Sequence, residues 1–107
     1  MPKFVTIGYG DRAGYDRTDA DVRDAAHAHD AELRSRGVEM WTVGSPLQVR
    51  NHGAVAVETE TGAFMRSSLP VAGFMVIEAA SVQEAVKIVS GTPCAVASGV
   101  VEVWPLE

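Results

Sequence analysis

Two short stretches of this chain carry the same helix-start signal, and each lies between two β-rich runs. Thr18 with Asp21, and Ser81 with Glu84, set a hydroxyl and a carboxylate three residues apart, the spacing that satisfies free N–H groups in a helix's first turn. The run from Asp19 to Arg36 is rich in Ala, Glu, Leu and Arg and closes on Gly37, which predicts a helix with a C-terminal glycine. A shorter helix is predicted from Ser81 to Ser90, stopped by Gly91-Thr92-Pro93. Before the first helix, Phe4 to Tyr9 alternates as a strand, and a polar loop runs on to Arg17. Val38 to Val43 is the second predicted strand. Leu47–Arg50 and Ala54–Glu58 read as a hairpin turned by Asn51-His52-Gly53. A loop from Thr61 to Pro70 precedes the most apolar strand, Ala72 to Ala79, and Val100 to Trp104 is the last.

That order is β-α-β, a hairpin, then β-α-β. A strand–helix–strand crossover sets its two strands parallel with the helix on one face. Two such units interleaved make a ferredoxin-like α+β fold, an antiparallel sheet with both helices on one face, in a single domain spanning residues 1–107. The other face is expected to be covered too. Val101 and Val103 oppose Val100 and Trp104 on the last strand, and Phe74 and Val76 oppose Met75 and Ile77. Two helices cover one face only, so a second copy of the chain, a homodimer, is the expected cover. The alternative is that loop 61–70 folds over the open face.

Charge and cysteine content remove several classes of function. Net charge is −5 and the nine Lys and Arg are scattered, with no basic stripe for nucleic acid. No apolar run approaches the roughly 18 residues of a membrane span. Met1 to Val5 leads straight into a strand without a charged-then-apolar signal segment. Cys94 is the single cysteine, which points to a reducing, cytoplasmic setting and to a packing role after Thr92-Pro93. Gly8-Tyr9-Gly10 is a strand end with no helix immediately behind it, not a phosphate loop, and no cofactor motif is present.

From Thr61 onward the chain resembles the YCII-related family, in the branch named for a DGPF-type motif. Thr61-Gly62-Ala63-Phe64 stands where that branch has Asp-Gly-Pro-Phe. Ala72-Gly73-Phe74-Met75, Ser81 to Ala85 and Thr92-Pro93 follow in register, and Val101-Glu102-Val103-Trp104-Pro105 is similar to the closing segment. Tyr9-Gly10-Asp11 and Glu32-Leu33-Arg34-Ser35-Arg36-Gly37 are similar to the first strand end and helix end. The resemblance implies a ferredoxin-like domain of the dimeric α+β barrel type. It also implies a helix histidine beside an aspartate in an Asp-Pro step, a dyad associated with small-molecule chemistry. Here that step reads Thr92-Pro93, and the histidine position falls on Ala26 with His27 next to it.

A helix turns about 100° per residue, so Val22, Ala26, His29 and Leu33 share one stripe while His27 points elsewhere. His29 therefore faces the sheet, where it reads first as a buried imidazole bonded to a neighbour, and in the sharper reading as the general acid/base group of any catalysis. Histidines two apart on a helix diverge, so the pair is no metal clamp and no metal site is expected. His52 reads as a turn residue. Arg66 in the loop is a candidate anion holder, and Phe64 and Trp41 are candidate ligand contacts, with core or dimer packing as the other role for Trp41 and Trp104. Two functions remain open. One is small-molecule binding in a helix–sheet cleft with weak acid/base chemistry, of a lyase or isomerase kind. The other, implied by the family's DGPF branch, is a non-catalytic dimeric module serving a transcription-related partner protein.

Overall fold

Seven residues, Lys3–Tyr9, build the strand around which the rest is arranged (β1). In the computed structural model, which describes residues 1–107, β1 is followed by helices Arg12–Asp16 (α1) and Ala20–Ser35 (α2) and by strands Glu39–Thr42 (β2), Leu47–Arg50 (β3) and Glu58–Thr61 (β4). Strand Val71–Glu78 (β5), helices Val82–Val89 (α3) and Pro93–Val96 (α4), and strand Val100–Pro105 (β6) complete the chain. The main sheet has the order β2-β5-β1-β6 with antiparallel neighbours throughout. This is an α+β arrangement compatible with a ferredoxin-like fold. Strands β3 and β4 form a separate two-stranded sheet.

Alternation along the strands decides where the core lies. Phe4 and Thr6 on β1 pair with Ile77 and Met75 on β5, and all four are buried. With Leu33 of α2 and Ala85 and Val89 of α3, Phe4, Met75, Ile77 and Ala79 form one apolar cluster, so α2 and α3 serve the same sheet face. The opposite face carries Trp41, Phe74, Val76 and Trp104, and the loop after β4 stays exposed rather than folding across it.

The helix ends follow local chemistry. At the C-terminus of α2, the Gly37 N–H donates to the Arg34 carbonyl and the Val38 N–H to the Leu33 carbonyl, with Gly37 at φ +86°, a Schellman ending. Ser81 accepts from the Glu84 N–H at 3.1 Å, and the Glu84 carboxylate reaches back to the Ala80 N–H. The expected box at Thr18 does not form. Asp19 is the N-cap of α2 without a side-chain bond, and the Thr18 hydroxyl donates instead to the Gly14 carbonyl at 2.8 Å. The reason is α1, an unexpected helix in place of the polar loop. Asp11 starts it by accepting from the Gly14 N–H at 2.8 Å, and its closing carbonyls claim Thr18. The hairpin also differs from expectation. A 3-10 turn at His52–Ala54 lengthens the connection, and the second strand begins at Glu58, so Leu47 faces Thr61 and Arg50 faces Glu58.

Candidate functional site

The helix–sheet layer is open at one end, and the opening is made by small residues. Thr6, Gly8 and Gly73 leave the middle of the sheet without large side chains beneath the second half of α2. A cavity of about 310 Å³ results, within the usual range for a small-molecule site. Met40, Met75 and Val101 give it an apolar floor. Trp41 and Thr42 form the wall at β2, and Thr92 and Cys94 close the opposite side. A glycine is required at two of these positions. A Cβ on Gly73 would stand 2.4 Å from the Trp41 carbonyl oxygen, and one on Gly8 would stand 2.9 Å from Cys94 Sγ.

The polar groups come from one stripe of α2, His27, Asp30 and Arg34, spaced three and four residues apart. Asp30 is only partly exposed and its Oδ1 is buried without a hydrogen-bond partner. Burial pushes the Asp30 carboxyl above its ordinary range, against the opposing pull of Arg34, His27 and His29. Arg34 stands in none of the ion pairs, which join Arg12 to Asp16, Arg36 to Glu32 and Arg50 to Glu60. His27 shares a 2.9 Å hydrogen bond between its Nε2 and the Tyr15 hydroxyl. The Arg23 guanidinium lies 4.8 Å over the Tyr15 ring, so α1 fixes the cleft's outer histidine. Burial raises the Cys94 thiol, and the charge of Asp30 raises it further, which keeps it protonated and un-nucleophilic.

His29 is placed elsewhere. Its Nε2–H donates to the Ile88 carbonyl at 2.6 Å, and its ring packs against Gly91, where an added Cβ would meet ring carbon Cδ2 at 3.2 Å. It ties α2 to the end of α3 and does not line the cleft. Trp41 does line it. Phe64 lies in the loop just after β4 with the Arg50 guanidinium 5.8 Å from its ring centre, beside a shallow recess of about 300 Å³. Arg66 sits on the exposed loop after β4, away from both. A larger recess of about 530 Å³ opens at the far end of the sheet, but charged side chains of both signs rim it and no buried polar group faces it. No group of three or more His, Cys, Asp or Glu residues is arranged to hold a metal ion, and no helix is long and apolar enough to cross a membrane.

Sequence reasoning missed Asp30, Arg34 and Thr92 as cleft residues. The signal for the first two was the alternation of charge at His27, Asp30 and Arg34. It pointed to the cleft only once the buried stripe was centred on Ala26 and Leu33. No protein-family model matches the chain, and no curated protein matches it either.

Proposed function

We propose that the chain binds a small organic molecule in the cleft between α2 and the sheet and moves a proton on it with Asp30. The observation that carries this reading is the Asp30 carboxylate, with one oxygen out of water and unbonded at the wall of an apolar-floored cavity. A carboxyl raised by burial takes and returns a proton nearer to neutrality than an exposed one, a contribution of roughly 10²–10⁴-fold in rate. Arg34, free of an ion pair, supplies a positive charge beside the bound molecule, and Met40, Met75 and Val101 give it an apolar floor. His27, held by Tyr15, is the second group able to exchange a proton at the rim. His29 has a positioning role in this reading, because its Nε2 proton is committed to Ile88. The resemblance to YCII-related proteins supports small-molecule binding by such a domain, and because Thr92 replaces the aspartate of the family's dyad it is Asp30 that would carry the proton here. The resemblance also supports a homodimer of the α+β barrel type through the open sheet face.

The test is a ligand screen by NMR on the labelled chain, using small aromatic acids and lactones. The expected result is shift changes concentrated at Thr6, Asp30, Trp41 and Thr92 that are lost or weakened in Asp30→Asn. Uniform silence of those signals across the panel refutes the reading. It would leave the second one, a dimeric interaction module with a transcription-related partner, which the exposed Trp41 and Trp104 favour.

A further inference from the structure

The β3–β4 hairpin stands away from the body of the protein. The radius of gyration is 15.8 Å and the extents are 52 × 36 × 21 Å, whereas a compact chain of this length has a radius of about 13 Å. An isolated two-stranded sheet is marginal in water and needs a surface to pack on. This one alternates cleanly. Gln48, Arg50 and Glu60 share one face, where Arg50 pairs with Glu60 and donates to Gln48. Leu47 and Val49, each 65% exposed, share the other with Thr59 and Thr61. That second face bears no charge, so it suits an apolar partner surface and not a nucleic acid or a charged peptide.

We propose that this hairpin is an arm exchanged between two copies of the chain, its Leu47–Val49 face packing on the partner's open sheet face. The inference rests on the dimer reading above and adds to it. Magnitudes favour a second copy as occupant. With about 175 Å² for a fully exposed large side chain, Trp41, Phe74, Val100 and Trp104 offer about 350 Å² of exposed surface. A stable interface takes about 800 Å² from each partner. The hairpin and its flanks, through Leu47, Val49, Val55, Val57 and Met65, offer roughly 600 Å² more by the same measure. The arm exposes more apolar surface than the face does, so an interface covering both buries more of it than one covering the face alone. Continuity points the same way. The arm leaves from the end of β2 and returns to the start of β5, the strands that pair Trp41 with Phe74 on the open face. Under two-fold symmetry each arm crosses the other copy and buries both apolar surfaces twice. Trp41 lies on the open face in β2, next in sequence to Met40 and Thr42 of the cleft, so the contact would also hold the strand that borders the candidate site.

Sedimentation velocity on the full chain and on the double variant Leu47→Ser/Val49→Ser gives the first readout. The expected result is a wild-type dimer at micromolar concentration and a dissociation constant at least tenfold higher in the variant, with unchanged far-UV circular dichroism. A second readout uses the unaltered protein, mixing ¹³C-labelled and unlabelled copies. Isotope-filtered NOEs are expected from the Leu47 and Val49 methyls to aromatic ring protons of the unlabelled copy. A wild-type monomer overturns the dimer and the arm together. A dimer that the variant leaves intact, or whose arm methyls show NOEs only within their own copy, overturns the arm exchange and leaves the dimer standing.

Discussion

Replacing Leu33 with alanine tests the placement of α2, on which the whole cleft depends. Leu33 is buried among Phe4, Met75, Ile77, Ala79, Ala85 and Val89. The change removes three carbons, worth about 0.8 kcal/mol each in transfer from water, or about 2.4 kcal/mol. The void is slow to collapse because Phe4 and Ile77 are locked opposite each other in the β1–β5 ladder. A residual cavity raises the loss to about 3–4 kcal/mol, inside the range for buried leucines. With unfolding entropy near 2.1 cal/mol/K per residue, that is a fall of roughly 13–18 °C in Tm. Urea unfolding at fixed protein concentration is the assay, because the proposed dimer would make apparent stability depend on concentration. The midpoint should drop with an unchanged m value. Val22, which shares the stripe in sequence but is 41% exposed in the first turn, is the control. Val22→Ala should cost less than about 1 kcal/mol. Equal losses at the two positions, or a Leu33→Ala loss below about 1 kcal/mol, would refute the placement.

Four further outcomes follow from the geometry. Because the folded state raises the Asp30 carboxyl, the fold holds a proton there that the unfolded chain releases, so this contribution to stability is lost as pH rises from about 3.8 toward the folded value. Asp30→Asn should therefore match or exceed the wild type in Tm at pH 7 and gain least at pH 3, as calorimetry across pH would show. Gly73→Ala should destabilise by more than about 2 kcal/mol in urea by driving β2 from β5, whereas Gly44→Ala, with nothing within 4 Å, should be close to neutral. The Tyr9 hydroxyl donates to Glu102 Oε1 at 2.7 Å, and that bond, with burial, raises its ionisation. Absorbance titration should find it ionising later than free tyrosine, with stability falling as pH rises above 10, an effect absent in Tyr9→Phe. Cys94 should react with a thiol reagent at pH 7 more slowly than free cysteine, and rapidly once the chain is unfolded.

The main sheet was legible because its signals are local or repetitive. Alternation marked β1, β5 and β6 to within a residue or two, and Gly37 and Ser81 named the end of one helix and the start of another. What escaped was set by contacts distant in sequence. Gly14 disguised α1, since glycine is a poor helix former. It is needed there because a Cβ would come within 2.7 Å of the Ala97 carbonyl oxygen, 83 residues on. The stripe read from the sequence turned His29 toward the sheet as a bonded imidazole, and it is bonded to Ile88, whereas the cleft is lined from α2 by His27, Asp30 and Arg34. A hundred degrees of rotation per residue orders the side chains around an axis without saying how far that axis is turned against the sheet. Ala26 and Leu33 set that rotation, and it brings Asp30 and Arg34 into the cleft while His29 turns to α3.

The position of β1 has a kinetic consequence. It precedes every other strand of the sheet, yet both of its sheet partners, β5 and β6, follow more than sixty residues later, with Lys3 opposite Glu78 and Phe4 opposite Pro105. Every ladder bond that β1 makes therefore closes a loop of sixty residues or more, and such non-local pairing is slow to nucleate. While the chain is being synthesised, β1 waits with its Val5 and Ile7 edge groups unpaired, and α2 has no floor to lie on. Folding should start instead in the second half, around β5 and α3. A chain cut before Val100 would leave the strand at the sheet's centre as its new, unprotected edge.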